Sequence, residues 1–354
     1  MKTIKTLAML FAAVAFLAAG FTSCTEEGTN GPEVDLTELN AAIADCEAVL
    51  ATATSEDFPE EAINTFKATV DAAKAAAAGS TLNQTAVNNL VAQLKAAKDA
   101  FLQTEFGAIP ADALTMALTF DEGEGTTLKT TGKYQWTAEL KKGETEIFGT
   151  ETDLPKFVDG KVGKAISLTN GAHLQINDYQ ALALESKELS IATWVKLNNT
   201  RPGNYIVSYN YWNTWKFQLQ SENKPFFTLA TENGITDMDN ETPESVKNGE
   251  WAHLVVTANT NKGEVSFYVN GALTKTWTVT ERPALVGAIK PYANKLPLMI
   301  GTHTTVAEAT AAWDWDWAKT PEGWDWLDGS LDEFKIYNIA LTEGQVAKLY
   351  SNEN

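Results

Sequence analysis

Trp251-Ala252-His253-Leu254-Val255-Val256-Thr257-Ala258 runs into Asn261-Lys262-Gly263, and Glu264-Val265-Ser266-Phe267-Tyr268-Val269 runs into Asn270-Gly271. Both segments are rich in β-branched and aromatic residues and both end in turn-forming ones, so they predict strands. Asn-Gly directly after such a strand predicts a hairpin, because both residues accept the positive φ that a tight two-residue turn requires. Working outward, the same texture recurs at Ala113–Phe120, Ala165–Leu168, Ala172–Ile176, Leu189–Leu197, Tyr205–Tyr209, Thr214–Leu219, Leu298–Ile300 and Ser330–Tyr337. Many short strands with no helices between them predict an all-β sandwich over residues 107–354. A helix is expected only at the tail, Thr342 to Tyr350, with Thr342 as its N-cap.

Before residue 107 the periodicity is different. Leu36, Leu39, Ile43, Cys46 and Leu50 step by three and four, as do Ile63, Phe66, Val70, Ala73 and Ala77, and then Val87, Leu90, Leu94, Ala97 and Phe101. Each series lines one helix face. Ser55 to Pro59 and Gly79-Ser80-Thr81 carry the stop and start signals. Residues 35–106 therefore predict a three-helix bundle. Its alanine-rich seam buries little area, so modest stability is expected.

The N-terminus has a third character. Lys2 and Lys5 precede an apolar run that ends in Ala18-Ala19-Gly20-Phe21-Thr22-Ser23-Cys24, the pattern of a secretory leader over residues 1–23. The segment resembles the lipobox of bacterial lipoproteins in the loose form common in Bacteroidetes. The resemblance implies that Cys24 becomes the lipidated N-terminus, and that Thr25-Glu26-Glu27 acts as an export tag to the outer face of the outer membrane. Residues 24–34 then form a flexible linker. The formal net charge is −19, and loss of Lys2 and Lys5 makes it two units more negative. Such a surface repels nucleic acid. Cys46 lies on the helical seam and reads as a small buried hydrophobe.

Three stretches carry a resemblance over the C-terminal domain. They are the opening, Leu118-Thr119-Phe120-Asp121-Glu122-Gly123 with Gly160 to Leu168; the middle, Leu189 to Val195 with Gly249 to Thr257 and Phe267 to Gly271; and the last strand, Gly329 to Asn338. In order, they are similar to the strands of LamG-like domains of the concanavalin A-like lectin/glucanase superfamily. The resemblance implies a jelly-roll sandwich and leaves function open, because the fold hosts lectins, glycosidases, adhesion modules and spacers. The helical segment resembles FIVAR-type three-helix modules, which implies a spacer or adhesive element.

Three constellations of residues bear on chemistry. A retaining glycosidase needs two carboxylates about 5.5 Å apart, and no strand carries acidic residues at the alternate positions that would share a face. Asp332 and Glu333 are adjacent and should point to opposite faces of a strand. His173, His253 and His303 are dispersed without metal-ligand spacing. These absences argue for a protein that is not an enzyme. Asp121 and Asp332 are candidate ligands for a structural Ca²⁺, the alternative being that Asp121 caps a turn and Asp332 accepts backbone hydrogen bonds. Asp237, Asp239 and Glu241 read as a solvated turn. The third constellation is aromatic. Trp313, Trp315 and Trp317 alternate with Asp314 and Asp316, and Trp324 and Trp326 flank Asp325. Extended, these predict a hairpin with one tryptophan face for stacking on sugar rings and one carboxylate face for hydroxyls. At least two of the five rings should be exposed, the alternative being that they cover one end of the sandwich. Tyr211 and Trp212 form a second aromatic candidate. The expectation is a surface-anchored, non-catalytic protein that binds a polysaccharide or other glycan and is held to the outer membrane by lipid. The rival reading is a protein-binding adhesin, with a glycoside hydrolase third.

Overall fold

The computed structural model describes residues 34–353 apart from Glu56, 80–81, 180–186, Trp212, 291–295 and 313–318. Cys24, Trp212, Trp313, Asp314, Trp315, Asp316 and Trp317 therefore lie outside the described residues. The chain divides into two compact units, one ending at Gly107 and the other beginning at Ala108.

The first unit contains α1 (Thr37–Thr52), α2 (Glu60–Ala77) and α3 (Gln84–Leu102). Leu39, Ile43 and Cys46 meet Phe66, Val70 and Ala73, and both sets meet Val87, Leu90, Leu94 and Phe101 in one core. Asn83 caps α3, its side-chain oxygen accepting from Ala86 N at 2.9 Å, which satisfies a donor the helix itself leaves open. Phe58, outside the three periodic series, stacks on Phe101 at 4.4 Å between ring centroids, and Phe101 stacks on Phe66 at 4.7 Å.

The second unit is a sandwich of two eight-stranded antiparallel sheets. The first sheet runs β14 (Ala272–Thr278), β13 (Glu264–Val269), β12 (Trp251–Asn259), β7 (Glu188–Leu197), β16 (Gly329–Tyr337), β5 (Lys164–Leu168), β4 (Lys156–Asp159), with β1 (Leu114–Leu118) also on β16. The second sheet runs β11 (Gly234–Asp239), β10 (Lys224–Thr231), β9 (Trp215–Gln220), β8 (Gly203–Tyr209), β15 (Leu298–Ile300), β6 (His173–Ile176), β3 (Thr137–Lys141), β2 (Thr127–Lys129). Alternate residues of the two inner faces form the core. Ile191, Val195, Leu254, Val256, Phe267 and Phe334 come from one sheet, and Val207, Trp215, Phe217, Leu219, Phe227 and Leu229 from the other. Val269 pairs with Ala272, so Asn270 and Gly271 are the two turn residues, with φ of 50° and 75°. That is the positive-φ turn their identities predict.

Three expectations change. Asp332 and Glu333 do not alternate in a regular strand. An extra residue enters β16 between Asp332 and Lys335, and Glu333 has φ of 47°. This bulge sits where the edge of β16 passes from pairing with β5 to pairing with β1, the kind of ladder junction at which a bulge re-aims side chains. The sandwich also contains two short helices, α4 (Thr145–Phe148) and α5 (Val306–Ala312). Finally, Trp326 forms only a single bridge, to Thr302, so the predicted second hairpin arm is not a strand. The terminal helix α6 (Glu343–Glu353) does start as expected: Gln345 N donates to Thr342 Oγ1 and Thr342 N to Gln345 Oε1, a reciprocal cap.

Candidate functional site

In β9, Trp215, Phe217 and Leu219 face the core, which turns Lys216 and Gln218 to the outer face of the second sheet. Outward residues usually meet water, yet Lys216 is 7% exposed and Gln218 3%. Aromatic rings enclose the ammonium. Lys216 Nζ lies 5.0 Å from the Tyr205 ring, 4.8 Å from Tyr211 and 5.4 Å from Phe226, within cation–π range. It donates to Tyr205 Oη at 2.8 Å and to Gln218 Oε1 at 3.1 Å. Burial lowers the lysine pKa to about 8, with Asp237 and Asp325 opposing the shift. The Tyr205 and Tyr211 rings stack at 5.9 Å, and His303 bridges from Tyr211 (5.1 Å) to Trp324 (4.3 Å).

Asp325 stands beside this patch, and its backbone fixes it there. Its carbonyl accepts from Thr302 Oγ1 at 2.9 Å and lies 2.9 Å from His303 Nδ1. Burial holds His303 down at about 3, so the ring is neutral and Nδ1, facing a carbonyl, carries the proton. The carboxylate lies over Gly203, where a Cβ would come within 2.4 Å of Oδ1. No described residue donates a hydrogen bond to that carboxylate. Burial raises its pKa to about 6, against the pull of Lys216 and Arg201. Asp325 is thus an acceptor without a donor among the described residues, set among rings.

The neighbouring tryptophans do something other than stack in the open. Trp324 is 3% exposed and Trp326 6%. Both pack with Ile147 of α4 and with Val306 and Ala309 of α5 in a small cluster apart from the main core. Phe148 meets Trp326 edge-on at 6.0 Å. Neither ring presents a face to solvent, because the two short helices that sequence reading missed cover them. Tyr211 is half-buried.

The patch continues across β10 and β11 into a groove of about 400 Å³ lined by Phe226, Asp237, Asp239, Trp277 and Arg282. Asp237 and Asp239 lie on a strand, contrary to the expected solvated turn, and Asp237 accepts from Thr228 Oγ1 at 2.5 Å. Lys275 and Arg282 lie against the Trp277 ring at 4.1 and 4.0 Å. The indole N–H donates to Asp239 O at 2.7 Å, and Arg282 Nε to Asp237 O at 3.4 Å.

Asp121 and Asp332 meet elsewhere, at the turn between β4 and β5. Asp332 Oδ2 accepts from Lys161 N (2.8 Å) and Val162 N (2.9 Å), and its Oδ1 from Glu333 N (2.8 Å). Asp121 Oδ1 accepts from Lys164 N at 2.8 Å. Gly160 and Gly163 make room, since a Cβ would lie 2.5 Å from Asp332 Oδ2 and 2.1 Å from Asp121 Oδ1. The backbone offers this turn N–H donors, which suit a carboxylate and repel a cation. Calcium takes six to eight oxygens, so the donor set does not fit the ion. Among the described residues no three His, Cys, Asp or Glu side chains are grouped for a metal.

Of the predicted ligand residues, then, the structure brings Asp325, Tyr211 and Trp324 to one patch, with Trp326 beneath it. Lys216, Gln218, Tyr205, His303 and Arg201 were not anticipated. For Lys216 and Gln218 the alternation of Thr214–Leu219 gives the face they share, and for the other three no local pattern marks the site.

Comparison with known proteins adds the following. No curated protein sequence matches the chain. Among solved structures, domain 4 of AbnA, a GH43 extracellular arabinanase from Geobacillus stearothermophilus in complex with arabinotriose, is 19% identical. The match has a TM-score of 0.45 and covers 67% of this chain and 98% of that one. The binding domain of botulinum neurotoxin DC in complex with rat synaptotagmin II is 16% identical, with a TM-score of 0.46, covering 69% of this chain and 52% of that one. The chain thus spans about half the length of the toxin structure. A family model described as the concanavalin A-like lectin/glucanases superfamily matches residues 168–347. With about half its length under that model, and with the two-sheet sandwich to match, the chain belongs to the concanavalin A-like lectin/glucanases superfamily.

Proposed function

We propose that this is a surface-anchored, non-catalytic glycan-binding lipoprotein whose ligand sits on the outer face of the second sheet around Asp325 and Lys216. The observation that carries the reading is the Asp325 carboxylate: fixed by its backbone, partly desolvated, and without a donor among the described residues. The carboxylate is half-buried rather than sealed from water, and a sugar hydroxyl is a donor that can take the place of that water. The rings of Tyr211 and Phe226 against Lys216 supply apolar surface of the kind a pyranose C–H face prefers. Among the described residues the charges facing one another here are Lys216 and Arg201 against Asp325 and Asp237, a pairing that favours a neutral saccharide.

The non-catalytic part of the proposal rests on there being one desolvated carboxyl in the patch among the described residues. The next carboxylate, Asp237, is tied to Thr228, and glycoside hydrolysis uses a pair. Anchoring rests on the leader and Cys24, and the helical unit serves as a spacer. The test is a panel of neutral and acidic polysaccharides offered to the full chain and to Asp325→Ala, with new reducing ends assayed in parallel. Binding to one class that the variant loses, without release of reducing ends, is expected. Binding that Asp325→Ala leaves intact would move the site elsewhere, and reducing-end release would make the protein a hydrolase. Changing Cys24 to Ala should move the protein out of the membrane fraction.

A further inference from the structure

Asp325 is carried on a turn from Thr320 to Trp326; Thr302 and His303 hold its carbonyl, and a further side chain from outside the turn grips the rest. Arg201, between β7 and β8, lays its guanidinium on the Trp326 ring, Cζ 4.0 Å from the centroid. Its Nη2 donates long hydrogen bonds to the carbonyls of Pro321 (3.3 Å) and Trp324 (3.4 Å). One planar group thus touches the start of the turn, the residue before Asp325 and the ring after it. Among the described residues no carboxylate comes within ion-pair distance of Arg201. Asp328, Asp325 and Glu322 act on it only at longer range. Its Nε is buried without a partner. An arginine that leaves one of its own donors unmet in order to hold a turn is placed for the turn's sake. Two residues on, Gly203 provides the space into which Asp325 Oδ1 fits.

We propose that Arg201 is a positioning residue of the glycan site, clamping the 320–326 turn so that Asp325 projects over Gly203 beside Lys216. The inference rests on the reading of Asp325 as the hydroxyl acceptor. Arg201 also acts through its charge. The groups facing Asp325 are Arg201 from the β7–β8 loop, Tyr205 of β8, Tyr211 after it, Lys216 of β9 and the neutral His303 after β15, with Asp237 of β11 beyond Lys216. Arg201 and Lys216 are the two cations that hold the carboxyl down against its burial.

Two variants of the full chain separate clamp from charge. Arg201→Gln removes the charge, and Arg201→Lys keeps it but loses the fork and the planar stack. The Asp325 carboxyl is followed by its ¹³C shift against pH, and affinity is measured for whichever polysaccharide the panel identifies. In Arg201→Gln the carboxyl midpoint should rise, and affinity at pH 7 should fall about tenfold. In Arg201→Lys the midpoint should return toward that of the parent while affinity stays several-fold weak. A midpoint unchanged in Arg201→Gln, or affinity fully restored by Arg201→Lys, overturns the proposal. If no polysaccharide binds the parent chain, the glycan reading fails, whereas the ¹³C titration still decides whether Arg201 governs Asp325.

Discussion

Asp332 and Asp325 are two carboxylates in one sandwich with opposite surroundings. Asp332 sits in the β16 bulge, fully buried, with three backbone amides donating to it. Asp325 precedes β16 on the outer face, half-buried, with no donor among the described residues. Burial raises both to about 6, so the pKa does not tell them apart. The donors do. A carboxylate whose oxygens are met by amides holds a turn in place, and one whose oxygens are unmet is ready for hydroxyls from outside.

The largest effect should come from removing the satisfied one. Asp332→Ala leaves the amides of Lys161, Val162 and Glu333 without their acceptor, at a cost of about 3 kcal/mol. For a domain of this size that is a melting temperature lower by roughly 6–12 °C. Calorimetry that found the variant within about 2 °C of the parent would break the contrast from the architectural side.

Next comes Asp325→Asn. It keeps the shape and removes the unmet charge, so affinity for the glycan should fall about tenfold, equivalent to 1.4 kcal/mol. The melting temperature should hold or rise slightly. A stability loss comparable with that of Asp332→Ala would mean that the two aspartates play one structural role.

The pH response is a smaller effect and sharpens the comparison. With folded pKa values near 6, above the ordinary aspartate value near 4, the native state binds protons that the unfolded chain does not between those limits. Stability contributed by these groups should therefore be greatest near pH 4 and decline as pH rises through 6. Glycan binding should run the other way, weakening as pH falls below about 6 and Asp325 gains a proton. Melting and binding measured over the same pH series should cross. Binding independent of pH between 5 and 7 would remove Asp325 from the contact.

The smallest expected effect is none. Amides rather than cations hold Asp121 and Asp332, so chelation should shift the melting temperature by less than about 1 °C. A larger drop that added Ca²⁺ reverses would place an ion at that turn after all.

Much of this fold could be read from local chemistry. Asn270-Gly271 and the Thr342–Gln345 cap act over neighbouring residues, and both appear where their side chains predict. The bulge at Asp332 answers to a junction among β16, β5 and β1, strands far apart in the chain, and no local pattern announces it. Strand β11 was missed because Thr236-Asp237-Met238-Asp239 looks like a loop until β10 pairs with it. The candidate site was half legible. Asp325 stood out by its tryptophan neighbours, but those rings turned out to be buried under α4 and α5. Lys216 looked like an ordinary outward lysine, because its aromatic enclosure is assembled from β8, β10 and a loop. Alternation tells which face a side chain takes and nothing about what covers that face.

The contacts made by Trp277 and Arg282 have a consequence for how copies of this molecule behave when crowded. Strand β11 ends its sheet and, among the described residues, pairs on the β10 side only. An open strand edge is a template on which another chain's backbone can polymerise. Here the carbonyls of Asp239 and Asp237 are already taken by the indole N–H and the guanidinium, and the acidic side chains of the same two residues repel a second copy of this anionic chain. Two side chains from β14 and the segment after it thus occupy backbone acceptors at that edge, which leaves fewer of them for a second copy to pair with.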